Sequence, residues 1–273
     1  MEIKGSQAII RVLTVNIQAG SSTRRYSDYL TRSWSHALPL GRKRASLDAI
    51  AHVVGGHDII GLQESDPGSL RSGFTNQTAY LARQAHCRFW SHQANRRLSL
   101  LASSANALLS NTRPTSLNHY PLPGRIGGRG ILVASYGVAP QGLSVAVTHL
   151  SLGANSRRMQ LAYIAERLCI YPNIILMGDF NCTADHPDMQ LLYQNTHLCR
   201  PEVSQPTFPS WQPKRAIDHI FISPSLSVVA TQTIQAACSD HLALSMQISL
   251  PKTVITSDIS KIMVRGDGSS LDF

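Results

Sequence analysis

Short apolar runs recur along this chain, and each ends on a polar or ionisable residue. Residues 12–15 (Val-Leu-Thr-Val) lead to Asn16, 59–62 to Gln63-Glu64, 143–148 to His149, and 173–177 to Gly178-Asp179-Phe180-Asn181. A fifth run, 216–221, carries Asp218 within it and is followed by Ser239-Asp240-His241. Runs this short, rich in β-branched residues and bounded by Gly or Pro, predict buried strands. Side chains alternate along a strand, so Asp179 and Asn181 are expected to point the same way. By the same rule His219 should face away from Asp218 and His241.

Helical spacing lies between the runs. Residues 42–54 place Leu47, Ile50 and Val54 on one face, and Gly55-Gly56 stops them. Residues 76–85 and 155–168 predict two more helices, the second with Met159, Ala162, Tyr163 and Leu168. Residues 106–110 and 130–134 read as strands on either side of a Pro/Gly-rich loop at 121–128, and 242–250 alternates up to Pro251. Residues 21–40 are polar and dotted with Tyr26, Tyr29 and Trp34, and 252–273 read as a loosely ordered tail. Alternating strands and helices indicate an α/β fold. With no internal repeat and no linker-like stretch, residues 1–251 are expected to form one domain.

Composition narrows the class. The chain has 273 residues, 43% of them hydrophobic. No stretch approaches the ~18 uninterrupted apolar residues of a membrane span, and the first strand begins too early for a secretory signal. The five cysteines, Cys87, Cys169, Cys182, Cys199 and Cys238, are scattered and lack C-x-x-C spacing. That argues against a zinc site or a disulfide framework and fits a reducing, cytoplasmic setting. Net charge is +9, unevenly spread: from Pro67 to Ala165 there is no acid, but there are ten arginines between Arg71 and Arg158. Surface arginines often only solvate a protein. A single-sign block of this length favours a polyanion, nucleic acid first and an anionic lipid surface second, because the guanidinium fork grips phosphate in two places.

Taken in chain order, Asn16, Glu64, His149, Asp179 with Asn181, Asp218, and Asp240-His241 resemble the motifs of the endonuclease/exonuclease/phosphatase superfamily. These are metal-dependent phosphoesterases with a pancreatic-deoxyribonuclease-like fold. The resemblance spans residues 12–250. It implies a four-layer α/β sandwich, two mixed β-sheets packed face to face with helices outside and the site at one end. It also implies phosphoester hydrolysis, foremost of a phosphodiester, with Mg²⁺ or Mn²⁺ as cofactor.

On this resemblance Glu64 is the metal ligand, with Asn16 and Asp240 in support, since oxygen donors suit these ions. Taken alone, Glu64 and Asn16 read equally well as turn residues. Asp179 would orient and deprotonate the attacking water, and Asn181 would hold that water or a phosphoryl oxygen; an Asx turn is the alternative for either residue, less so for the pair. His241 would contact phosphate, with Asp218 fixing its tautomer and favouring the imidazolium. The general-base role falls to Asp179 or to the His241–Asp218 pair. His149 resembles the family's other phosphate-contacting histidine. It lacks the upstream glutamate of the pancreatic-like nucleases, so it is expected to donate to phosphate rather than act as a carboxylate-tuned acid. Arg129 and Asn106 are further phosphate candidates, with a surface arginine and a turn residue as alternatives. A phospholipid or sphingomyelinase-type phosphodiesterase, a phosphomonoesterase and a non-catalytic binder of a phosphorylated partner are the rival functions. The joint presence of Glu64, Asp179 and His241 argues against the last.

Overall fold

The computed structural model describes residues 8–18, 40–98, 102–125, 127–138, 140–236 and 239–254. The aromatic stretch expected at 21–40 lies almost wholly outside these residues, as does the tail beyond Val254. Two mixed sheets form the centre. The six-stranded sheet runs β10 (Ser227–Ile234), β11 (Ala243–Leu250), β1 (Ala8–Asn16), β2 (Ile59–Ser65), β4 (Ala102–Ser110) and β3 (Phe89–Leu98). The five-stranded sheet runs β5 (Ser116–Pro121), β6 (Gly130–Tyr136), β7 (Leu143–His149), β8 (Ile174–Asp179) and β9 (Asp218–Ile222). Within each sheet one pair is parallel, β1 with β2 and β7 with β8, and its other neighbours are antiparallel.

Three apolar clusters explain the layers. Ile10, Val12, Ile59 and Met246 from one sheet meet Leu132, Val145, Ile175 and Met177 from the other, forming the core between the sheets. The outer face of the six-stranded sheet (Leu13, Val15, Ile60, Leu109) is covered by α1 (Leu40–Val54) and α2 (Gln77–Gln84) through Leu47, Ile50 and Leu81. The outer face of the other sheet (Ile131, Val133, Ala146, Ile174) is covered by α3 (Ala154–Leu168) and α4 (Gln190–Asn195) through Leu161, Ile164 and Leu192. A fully buried strand must be apolar on both faces, which is why these runs looked continuous in sequence. The result is the expected four-layer sandwich. No helix among the described residues is long and apolar enough to cross a membrane.

The helices expected at 42–54, 76–85 and 155–168 correspond to α1, α2 and α3, and the Asn76 side chain caps α2 by accepting from Ala79 N at 3.0 Å. Three strands were not anticipated, and all three are sheet edges: β3, β5 and β10. An edge strand has one unpaired side and here an exposed face, so it needs no apolar run. Beyond β11 the chain turns and seats Val254 in the core between the sheets.

Two glycines mark close approaches, one between the sheets and one between neighbouring strands of one sheet. A Cβ at Gly61 would lie 3.0 Å from Val147 and 3.2 Å from Met177 in the facing sheet. At Gly178, where φ is +148°, a Cβ would sit 1.9 Å from the backbone oxygen of Thr148. Gly178→Ala is therefore expected to destabilise the fold by about 3 kcal/mol or more, from a backbone clash combined with an unfavourable φ. Gly127→Ala, with nothing within 4 Å of its Cβ position, should stay within about 0.5 kcal/mol of wild type. Urea unfolding of the two variants measures the difference.

Candidate active site

Strand register assembles the site. Parallel pairing of β7 and β8 sets His149 beside Asp179, and antiparallel pairing of β8 and β9 sets Asp179 beside Asp218. In the other sheet β1 ends on Asn16, while residues 239–241 lead into β11, its antiparallel neighbour. The Ser239 hydroxyl donates to the Asn16 carbonyl and accepts from His241 N at 3.0 Å, tying the two segments together. Asn16 Nδ2 then donates to Asp179 Oδ2 at 3.1 Å, a hydrogen bond that spans the two sheets.

Asp179 is thus the hub. Its Oδ1 accepts from the backbone N–H of Asn181 at 2.9 Å; its Oδ2 also lies 3.4 Å from His149 Nε2 and 3.8 Å from His241 Nε2. The strand ends at Asp179, and Asn181 takes a left-handed φ of 54°, so the two side chains do not share a strand face as the spacing suggested. An Asx turn forms instead, and Asn181 Nδ2 donates to Leu150 O at 2.9 Å. On the far side of the hub, His241 Nδ1 lies 2.8 Å from Asp218 Oδ2, and Thr207 Oγ1 donates to that same oxygen at 2.6 Å. The Phe208 ring packs against the His241 imidazole with centroids 5.0 Å apart.

The electrostatics separate the two histidines. Burial disfavours the imidazolium of His241, but the carboxylates of Asp218 and Asp179 outweigh it and lift its pKa to about 10. Burial, then the positive charges of Arg129 and His241, hold His149 well below the ordinary histidine range. The 3.4 Å separation of His149 and Asp179 would suit an ion pair, yet those three effects favour a neutral imidazole. Burial raises Asp179, His241 opposes it, and Asp218 adds to the rise, leaving its pKa at about 7. At neutral pH the cluster therefore holds one charged histidine, one neutral histidine and a carboxyl group poised between its two forms.

The other expected residues fall around this hub. Glu64 lies at a register break between Leu62 and Ser65, with a left-handed φ of 58°. It directly follows Gln63, the register partner of Asn16, so it stands at the same end of the sandwich. Among the described residues the His, Cys, Asp and Glu side chains with ligand atoms within 4.8 Å of one another are Asp179, Asp218 and His241; Glu64 and Asp240 lie outside that set. Asp240 is buried, and its carbonyl accepts from Ser210 N at 2.7 Å. His241 Nδ1 is taken up by Asp218 Oδ2, which leaves Nε2 as its ligand atom. The carboxylate oxygens suit a hard divalent cation, and Asp218 Oδ1 is a buried carboxylate oxygen with no hydrogen-bond partner. The carboxylates of Asp179 and Asp218 could thus hold a divalent cation.

Arg129 is half-buried and close enough to act electrostatically on His149. Asn106 donates to Gly130 O at 2.7 Å and Thr148 Oγ1 to the same oxygen at 3.1 Å, so Asn106 braces the strand beside Arg129. His219 faces away as expected, with Nε2 2.9 Å from Cys182 O. Trp211 is half-buried. Thr207, Phe208 and Ser239 were missed by sequence reasoning. Thr207 and Phe208 sit in an irregular segment with no periodicity; only the adjacency of Ser239 to Asp240-His241 offered a signal.

Comparison with known proteins agrees with this fold. Residues 13–241 match the sequence model of the Endonuclease/Exonuclease/phosphatase family. Among solved structures, an endonuclease/exonuclease/phosphatase from Beutenbergia cavernae DSM 12333 is 21% identical, with a TM-score of 0.66 over 89% of this chain and 72% of that one. A mannosyl-6-phosphatase from Bacteroides thetaiotaomicron VPI-5482 is 17% identical, with a TM-score of 0.59 over 88% of this chain and 100% of its own. D. rerio TDP2, solved with a single strand DNA product, is 15% identical, with a TM-score of 0.61 over 88% and 99%. At these identities the likeness is one of fold. No curated protein matches the chain in sequence.

If Asp218 is what keeps His241 charged, Asp218→Asn should lower the His241 pKa from about 10 by roughly one to three units. Titration of the imidazole resonances by NMR reads this directly, and an unchanged midpoint would refute the assignment.

Proposed function

The chain belongs to the Endonuclease/Exonuclease/phosphatase family, and from that premise we propose that it is a divalent-metal-dependent hydrolase of a phosphodiester. The observation that carries the reading is the Asp179 carboxyl group, buried between a charged and a neutral imidazole and bonded across the sheets to Asn16. Glu64, with Asn16 and Asp240 in support, would hold the Mg²⁺ or Mn²⁺ ion, whose charge neutralises the phosphoryl oxygens. A carboxyl group with a pKa of about 7 is matched to accepting a proton from water at neutral pH, which favours Asp179 over the His241–Asp218 pair as general base. His241, charged and oriented by Asp218 and Thr207, would donate to a phosphoryl oxygen. His149, Asn181 and Arg129 would hold the phosphate's remaining oxygens. Asn106 would act by bracing Gly130 beside Arg129. Residues 1–251 would act as one catalytic domain.

Substrate class follows less directly. The arginine block divides in three dimensions. Arg83, Arg88 and Arg113 lie toward the opposite end of the sheets, Arg157 is buried, and Arg125, Arg129 and Arg158 lie at the end that carries the site. The last three favour a polyanion, nucleic acid or an anionic lipid surface, over a small phosphomonoester.

EDTA is expected to abolish hydrolysis of bis(p-nitrophenyl) phosphate, with Mg²⁺ or Mn²⁺ restoring it; full activity in EDTA would sink the proposal. Glu64→Ala should cost on the order of a hundredfold or more in kcat while the protein stays folded. If nucleic acid is the substrate, Asp179→Asn should bind it with an affinity that drops at least tenfold between about 50 and 200 mM salt. His149→Gln should retain more activity than His241→Gln, because only His241 carries charge; equal, total losses would instead indicate paired acid-base histidines.

A further inference from the structure

Three large apolar side chains stand exposed at the end of the sandwich that carries the site. Leu70 (54% exposed) and Phe74 (66%) follow Glu64 on the loop after β2, and Leu152 (78%) follows His149 on the loop after β7. The two loops come from different sheets, so the exposed residues lie on both sides of the site. Single exposed leucines are ordinary on a protein surface. In both loops the backbone that carries these side chains is tied down by polar contacts.

In the first loop the Asp66 carboxylate accepts from Gly68 N at 2.9 Å, from Ser69 N at 2.8 Å and from the Ser69 hydroxyl. The Ser69 carbonyl in turn accepts from Phe74 N at 2.8 Å and Ser72 N at 3.1 Å. Phe74 is fixed there with a φ of 59°, unusual for a bulky side chain. In the second loop, Gln160 accepts from Ser151 N at 2.9 Å and donates to Ser151 Oγ at 2.9 Å and Pro123 O at 3.0 Å, while Arg157 donates to Leu152 O at 3.0 Å. Beside the second loop Arg125 and Arg158 are exposed, and in sequence the stretch 67–165, which carries all three tips, contains no acid.

We propose that Leu70, Phe74 and Leu152 form a docking rim that seats the site on an anionic lipid surface. Apolar tips that enter the headgroup boundary, with the exposed Arg125 and Arg158 at the same end of the sandwich, complement an anionic bilayer in both charge and polarity. A single strand of nucleic acid would instead call for aromatic stacking faces, which two of the three tips lack. Tips on two rigid loops on either side of a site also suit a plane better than a groove. The inference rests on the phosphodiesterase reading only for the identity of the site between the loops; the docking stands independently.

The test is co-sedimentation of the full chain with phosphatidylcholine vesicles, with and without phosphatidylserine, in EDTA so that no turnover occurs. The wild type should bind vesicles containing phosphatidylserine well above those without. The combined Leu70→Ser, Phe74→Asn and Leu152→Ser variant should lose about tenfold or more of that binding. Phe74→Asn alone should lose part of it, and because Asn tolerates positive φ it guards against misfolding as the cause. Ile170→Ser, at a position 69% exposed at the opposite end of α3, should bind as wild type does. Equal binding by wild type and triple variant would overturn the proposal, as would no binding by wild type. Loss of single-strand DNA affinity in the triple variant, without any vesicle binding, would assign the rim to nucleic acid instead. Hydrolysis of bis(p-nitrophenyl) phosphate by the wild type is scored separately. Its failure would sink the phosphodiesterase reading while leaving the vesicle result standing.

Discussion

The site depends on how closely β7 and β8 run together where they end. Gly178 approaches the Thr148 carbonyl so nearly that any side chain would collide with the backbone. That contact lets the two strands stay paired to their last residues, His149 and Asp179, and lets β8 continue in register with β9 as far as Asp218. Because side chains alternate with period two, a slip of one residue would send one of these groups to the opposite face. A glycine that looks like a turn signal in the sequence is therefore the spacer that fixes the spacing of the ionisable row.

Collecting ionisable groups in a dry place is costly, and the cluster is tolerable only as a set. Asp179, Asp218, His149 and His241 are all buried. Removing one partner would leave another uncompensated, which is why such groups act together rather than one by one. The two oxygens of Asp218 are used unequally: Oδ2 takes both the His241 imidazole and the Thr207 hydroxyl, while Oδ1 has no partner. Two donors converging on one oxygen hold the carboxylate plane, and with it the imidazole. Asn16 performs the matching task across the interface between the sheets, so the hub is held from both layers.

The sequence made legible the strands that are buried, the edge strand β9 among them, and left the exposed edges obscure, for one physical reason. Strands buried on both faces, such as Ile174–Asp179, must be apolar throughout, whereas β10 is exposed along its first four residues and reads as an ordinary polar segment. The ionisable residues were legible because each interrupts or borders an apolar run, where a charge is conspicuous. Thr207 and Ser239 were not, since a hydroxyl in a loop carries no pattern until the fold shows what it touches. Asn181 shows a different limit. Its spacing from Asp179 implied a shared strand face, but the strand stops one residue too early, and local turn chemistry takes over. For Asn106 the sequence located the residue beside the site but not its partner, the Gly130 carbonyl.

The hydrogen bond between the Ser239 hydroxyl and the Asn16 carbonyl joins residues 223 positions apart. The strand they stabilise, β11, lies next to β1, so the earliest strand has only one neighbour until the latest one arrives. Contacts of such long sequence separation form late, because loop closure must come first. During synthesis a ribosome-bound chain therefore carries Glu64, His149 and Asp179 before it holds His241 and the clamp that aligns Asn16. Until those partners arrive, His149 and Asp179 lack the contacts that make their burial tolerable, so the ionisable row is the last part of this fold to become fully compensated.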